Sequence, residues 1–228
     1  MSKAKVLLAE DDLSLSFVIK DNLQDAGYEV FHYPDGEQAW QQIQKKGFDI
    51  CLLDINMPIR DGFSLAKKIR QQSDVIPILF ITAKSMEEDK IKGFQTGADD
   101  YITKPFSMQE LIMRMEVFLR RTKKLQADAA EEYHLGTLRF AYNELKIYHN
   151  STSISLTQRE ADLLKFFTLH SNKILKREEL LLHVWGKDDY FLGRSMDVFI
   201  TKLRKHLKSD PAIALETIHG VGFRLTIN

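Results

Sequence analysis

The chain has 228 residues, of which 44% are hydrophobic and 28% charged, and its formal net charge is zero. That composition fits one or two globular domains and excludes an intrinsically disordered chain. No apolar run approaches the ~20 residues that a membrane span needs, and the apolar stretch near the N-terminus ends at Glu10, too soon for a secretory signal. A cytoplasmic protein without a membrane segment is therefore expected. The single cysteine, Cys51, rules out an intramolecular disulfide and a multi-cysteine metal site. The charge is unevenly spread: residues 1–121 carry 16 Lys+Arg against 19 Asp+Glu, and residues 132–228 carry 14 against 11 with six of the seven histidines. An acidic front and a mildly basic back suit different partners.

The first 121 residues alternate strand and helix patterns. Strands are expected at 5–9, 29–33, 50–54, 78–82 and 100–103, the first, third and fourth almost wholly apolar, as parallel strands covered on both faces are. Helices are expected at 13–26, 35–46, 62–72, 86–95 and 107–121, the last opened by a Ser107/Glu110 capping box. Five such units in alternation predict a doubly wound α/β domain. Residues 122–132 read as a polar linker or an extension of the fifth helix. Beyond it, strands are expected at 133–138, 145–149 and 153–156. Helices follow at 157–169, 177–185 and 195–208, the first with a Thr157/Glu160 capping box, and a hairpin closes the chain at 215–227. The expected organisation is thus a unit at 1–121, a linker at 122–132 and an α+β unit at 133–228.

Asp11 and Asp12 end the first strand and Asp54 ends the third, so in a parallel sheet these carboxylates meet at the C-terminal edge. A hard divalent cation suits them, and Mg²⁺ is the cytoplasmic default. Thr82 and Lys104, at the ends of the fourth and fifth strands, should border the same pocket, and Asp54 could act as a nucleophile forming an acyl phosphate. Taken singly, Asp11-Asp12 is better read as a helix cap, Thr82 as an ordinary strand-end residue and Lys104 as an exposed lysine. The weight lies in five residues converging on one edge.

The segments 9–12 (Ala-Glu-Asp-Asp), 53–62 (Leu-Asp-Ile-Asn-Met-Pro-Ile-Arg-Asp-Gly), 82–84 (Thr-Ala-Lys) and 97–106 (Gly-Ala-Asp-Asp-Tyr-Ile-Thr-Lys-Pro-Phe) resemble the receiver domain of two-component response regulators, a flavodoxin-like (βα)5 fold. The resemblance implies phosphoryl transfer from a histidine kinase to Asp54. It implies Mg²⁺ held by Asp12, Asp54 and the backbone carbonyl of Asn56, with Asp11 acting through water. Lys104 would grip the phosphoryl group, Thr82 and the adjoining Ala83 would contact it, and Tyr101 would swing inward. Lys104-Pro105 fits a cis peptide.

In the back half, residues 193–208 carry Arg194, Lys202, Arg204, Lys205 and Lys208 against one acid, Asp197, with Met196, Ile200, Leu203 and Leu207 as an apolar stripe. Alone, this is better read as a solvated amphipathic surface helix. The segments 156–160, 181–186, 194–198, 203–205 and 218–225 are similar to the winged-helix domain of the OmpR/PhoB family, with residues 195–208 as recognition helix. Helical spacing puts Val198, Thr201, Lys202 and Lys205 on the face opposite the apolar stripe; the resemblance implies Val198 and Lys202 on bases, Arg204 on phosphate, and Thr217 and His219 bringing the wing to the backbone or minor groove, with Arg194 a further DNA-binding residue. Phe199, Lys202 and His219 depart from the residues the family often has there.

The resemblance also implies a homodimer after phosphorylation, binding of tandem half-sites in promoter DNA, and RNA polymerase as a further partner. Its cross-dimer pairs would be Lys90–Glu110, Asp100–Arg114 and Asp99–Arg121. The plainer alternative is intrachain surface pairs.

Overall fold

The five apolar runs of the front half form parallel strands: β1 (Lys5–Ala9), β2 (Glu29–Tyr33), β3 (Ile50–Asp54), β4 (Ile78–Thr82) and β5 (Asp100–Thr103), in the order β2-β1-β3-β4-β5. The computed structural model describes residues 2–83, 93, 95–125, 131–185 and 190–228, with side chains at all of these except 120–125 and 190–195. Alternate strand residues point to opposite faces. Val6, Leu8, Leu52, Leu79, Ile81 and Ile102 share one buried cluster with Ile19 and Leu23 of α1 (Leu13–Asp25) and with Leu111, Met115 and Phe118 of the helix Met108–Leu125. The neighbouring strand residues turn the other way: Phe80 meets Phe63 of α3 (Gly62–Gln72) edge to face at 5.3 Å. Helix α2 (Gly36–Ile43) lies between β2 and β3 in the chain, and Met108–Leu125 is α4. The helix expected at 86–95 lies outside the described residues apart from Gly93 and Gln95.

The strand order places β1 beside β3, the point where successive connections run to opposite sides of the sheet. In doubly wound folds the crevice at that switch point is where ligands bind. The loop leaving β3 must fold back tightly there. Gly62 donates its N–H to the carbonyl of Ile55, and a Cβ on it would sit 2.1 Å from the carbonyl oxygen of Asp54.

The chain forms two compact units, Met1–Lys124 and Leu125–Asn228. The segment expected to link them is helical through Leu125, and Glu132 already belongs to a strand. The second unit opens with an antiparallel sheet of β6 (Glu132–Leu135), β7 (Leu138–Ala141), β8 (Lys146–His149) and β9 (Thr152–Ser155), in that order. The expected single strand at 133–138 is in fact a hairpin, turned at Gly136-Thr137. Asp210 fixes that turn: its carboxylate accepts from the backbone N–H and the hydroxyl of Thr137, each at 2.6 Å.

Helices α5 (Gln158–Leu169), α6 (Arg177–Trp185) and α7 (Tyr190–Leu207) follow, then β11 (Ile213–Ile218) and β12 (Gly222–Ile227), which pair with the two-residue β10 (Leu175–Lys176) in the order β10-β12-β11. This is a winged helix. The capping box opens α5 as expected, with Thr157 and Glu160 each bonding the other's backbone N–H. The buried stripe of α7 contains the four expected residues and also Phe199, which packs on Trp185 at 5.6 Å. Strand β10 carries no sequence signal of its own. It exists because Gly222 lets β12 close on it, where a Cβ would fall 1.9 Å from the carbonyl of Leu175.

The close approach at Gly62 predicts that Gly62→Ala destabilises the first unit by about 2 kcal/mol, the usual cost of overpacking a site that can only partly relax. Denaturant unfolding of native and variant proteins measures this.

Candidate functional site

Strand ends bring the front-half site together. Asp54 closes β3 and is buried. The chain leaving β5 carries Lys104, whose backbone N–H donates to the carbonyl of Thr82 at 2.8 Å, so the ends of β4 and β5 are locked where the lysine emerges. The Lys104 ammonium lies 2.6 Å from Oδ2 of Asp54 and 2.8 Å from Oε2 of Glu10. The backbone N–H of Asn56 donates to the other oxygen, Oδ1 of Asp54, at 3.1 Å. Thr82 and Tyr101 are buried, Ala83 is exposed, and the Lys104–Pro105 bond is cis.

One expectation changes. The carboxylates that come together are Glu10, Asp11 and Asp54, with one oxygen of each within 4.8 Å of the others. Asp12 is turned elsewhere: its side chain caps α1, accepting from the N–H groups of Ser14 at 2.9 Å and Leu15 at 3.0 Å. The reason is local. The chain leaves β1 after Ala9, and the residue preceding the first helical turn adopts extended geometry so that its carboxylate can serve the orphan N–H groups. Glu10 was passed over in the sequence. Its signal was position, one residue beyond an apolar strand that pairs with the strand bearing Asp54.

The electrostatics follow from this crowding. Burial, offset by the hydrogen bond from Lys104 and reinforced by the charge of Asp54, pushes the Glu10 carboxyl up to about 7. For Lys104 burial acts downward, but its bonds to Asp54 and Glu10 win and raise it overall. Three carboxylates brought this close form an oxygen-donor set suited to a hard divalent cation. Helix α1 also carries exposed apolar side chains that no sequence pattern set apart. Leu13 and Phe17 of α1, one turn apart and immediately after the acidic residues, are 71% and 69% exposed.

The residues expected at a dimer face are mostly engaged within the chain. Arg114 lies 2.9 Å from Asp100 and 2.8 Å from Glu110. Asp99 is buried and bound by Arg70 at 2.6 Å, so it does not present its carboxylate to a partner's Arg121 as expected. Lys90 and the side chain of Arg121 lie outside the described residues.

In the second unit the exposed stripe of α7 runs through Asp197, Thr201, Arg204, Lys205 and Lys208. Thr201 and Lys205 are exposed. Val198 is only half-exposed. Lys202 does not point outward as expected: its ammonium lies 3.6 Å from Oε1 of Glu160. At helical spacing position 202 borders the buried row of Phe199 and Leu203. Arg204 is exposed but donates to the carbonyl of Leu215 and to the hydroxyl of Thr217, both at 2.7 Å, which joins α7 to the strand leading into the wing. Thr217 and His219 are exposed and line a cleft of about 570 Å³ with Lys176 and Arg177. The side chain of Arg194 lies outside the described residues.

Comparison with known proteins agrees with both halves. Residues 6–116 match the response regulator receiver domain, and residues 151–225 match the C-terminal domain of transcriptional regulatory proteins. The chain is 44% identical over 223 residues to the transcriptional regulatory protein RprY of Bacteroides fragilis, covering 98% of this chain and 94% of that one. Among solved structures, a RitR mutant is 26% identical with a TM-score of 0.72, covering 98% of this chain and 99% of that one. The response regulator DrrB of Thermotoga maritima, described as an OmpR/PhoB homologue, is 27% identical with a TM-score of 0.52, covering 99% and 100%.

The raised Glu10 carboxyl predicts a pH dependence in metal-free buffer. A carboxyl whose folded value lies above its ordinary 4.5 favours the folded state when protonated. That stabilisation is complete below pH 4.5 and is lost as pH rises through about 7. Native stability should fall by about 3 kcal/mol across this window. Glu10→Gln should flatten the profile, as thermal unfolding at pH 5 and pH 8 will show.

Proposed function

The chain belongs to the OmpR/PhoB response regulators, transcriptional regulators that join a receiver to a winged-helix DNA-binding domain, and from that premise we propose which of its residues carry the switch. Asp54 is the phosphoacceptor. The observation that carries this is its geometry: a buried carboxylate at the sheet's switch point, with Lys104 on one oxygen and the Asn56 N–H on the other. A histidine kinase is the partner, and the exposed Leu13 and Phe17 of α1 offer an apolar seat for its phosphohistidine-bearing surface. An Asp54 oxygen attacks phosphorus, and the P–N bond breaks with its electron pair returning to the imidazole. Lys104, already within 2.6 Å of the acceptor, moves with little rearrangement onto a phosphoryl oxygen, and its charge offsets that of the incoming group. The Thr82 hydroxyl and the Ala83 backbone complete the cradle, and Tyr101 swings inward as Thr82 moves toward the phosphoryl group.

Glu10, Asp11 and Asp54 would hold Mg²⁺, together with the carbonyl of Asn56; the ion would supply charge neutralisation between acids and phosphoryl oxygens. The protein acts in the cytoplasm; among the described residues no helix is long and apolar enough to cross a membrane. Promoter DNA is read by Thr201, Lys205 and Val198 of α7, with Arg204, Thr217 and His219 toward the backbone, and RNA polymerase is engaged at the bound promoter. The units divide the work near residues 122–132. Acetyl phosphate labelling tests the acceptor: Asp54→Ala should abolish it, and excess chelator should suppress it in the native protein. Undiminished labelling in either would contradict this assignment.

Dimerisation after phosphorylation is proposed through the face of β5 and α4. Its support is the acid–base–acid cluster Asp100, Arg114 and Glu110, in which an arginine held within the chain can be re-paired across a two-fold axis. Arg114→Ala should leave Asp54 labelling intact and weaken association of the phosphorylated protein in sedimentation. Native-strength association would exclude Arg114 from the interface.

A further inference from the structure

Lys202 lies on the helix that faces DNA, yet its charge is directed inward. Glu160 is buried at the third position of α5, where Oε2 accepts the Thr157 N–H at 2.9 Å. Its other oxygen, Oε1, lies 3.6 Å from the Lys202 ammonium, and Nε2 of His206, one turn along α7, is 3.9 Å from the capping oxygen Oε2. The Lys202 side chain is 27% exposed, and its ammonium also lies over the Phe199 ring at 5.7 Å. By contrast, Lys205 and Lys208 on the neighbouring stripe are exposed.

We propose that Glu160 is a positioning residue for DNA recognition: by holding Lys202 at the α5–α7 seam it withholds one cation from the phosphate backbone and so restrains binding that is indifferent to sequence. The physical basis is that non-specific affinity scales with the number of phosphates neutralised, whereas discrimination comes from base edges. A lysine free to swing onto any phosphate adds affinity for every sequence alike. A lysine tied to a buried carboxylate adds none, and leaves discrimination to the uncharged Thr201 and to the remaining exposed cations. The capping duty of Glu160 can be separated from this one. Glutamine also closes a capping box, because its amide oxygen accepts the same N–H, but it carries no charge to hold Lys202.

The proposal rests on the DNA-binding role given above, and the test distinguishes the two. Full-length native protein, Glu160→Gln, Lys202→Gln and the double variant are titrated onto a mixed-sequence DNA duplex over a range of salt concentrations. Glu160→Gln should bind more tightly at low salt. Its slope of log affinity against log salt should steepen by about 0.9 per bound protomer, one phosphate contact's worth. Lys202→Gln should match the native slope, and the double variant should return to it. Three results would overturn the proposal: an unchanged slope in Glu160→Gln, a steepening that survives in the double variant, or a slope already flattened by Lys202→Gln alone. The last does not depend on how Glu160→Gln folds. Failure of the native protein to bind the duplex would overturn the DNA-binding role itself, and the proposal with it.

Discussion

A single ammonium group held between two buried carboxylates organises the first unit. Lys104 lies within 3 Å of both Asp54 and Glu10, in a pocket where an unpaired charge of either sign would be costly. Much of the surrounding structure serves that placement. The order β2-β1-β3-β4-β5 brings the ends of β1 and β3 side by side, and the bond from Lys104 N–H to Thr82 C=O fixes where the lysine leaves the sheet. Arg70 anchors the entrance of β5 by donating to Gly97 and pairing with Asp99. The pocket is therefore set by strand ends that cannot shift independently, which gives an acceptor group its fixed orientation.

The same arrangement explains why the pocket is strained in charge and not in packing. Its apolar walls are buried residues of the sheet, whereas the acids crowd one lysine. The Glu10 carboxyl responds by moving into the neutral range. A phosphoryl group or a cation entering there changes a balance that is already close, so a local event can bias the surrounding elements. Asp100 and Arg114 lie on the β5–α4 side of the same unit, joined to the pocket through the strand that carries Tyr101.

In the second unit, polar staples set the geometry of an otherwise apolar core. Asp210 ties the β6–β7 turn to the loop after α7, and Arg204 ties α7 to the strand entering the wing. Arg177 reaches both Asp197 of α7 and the Phe223 ring of β12. Helix and wing are thus presented as one surface. The seam between α5 and α7 belongs to this set, since Glu160 both caps one helix and faces the basic flank of the other.

Five strands of the first unit coincide with the apolar runs that announced them, because parallel strands covered on both faces have few other sequences available. The described helices and the Thr157/Glu160 capping box were legible for a related reason: they depend on residues within one or two turns of each other. Asp54, Thr82 and Lys104 were legible because they mark strand ends. Which acids join them was not. Three consecutive acids, Glu10, Asp11 and Asp12, carry nothing in composition to say which turns inward, and the cap of α1 decided it by claiming Asp12. The hairpin at Gly136-Thr137 and the short β10 were hidden likewise, since their reasons lie in Asp210 and in Gly222, far along the chain. The sequence by itself determined the fold class and most of the described elements. Only the tertiary structure decided the direction of each charged side chain, turning Lys202 toward Glu160, Asp99 toward Arg70 and Asp12 into its helix, because a charge settles on the partner that three-dimensional packing brings within reach.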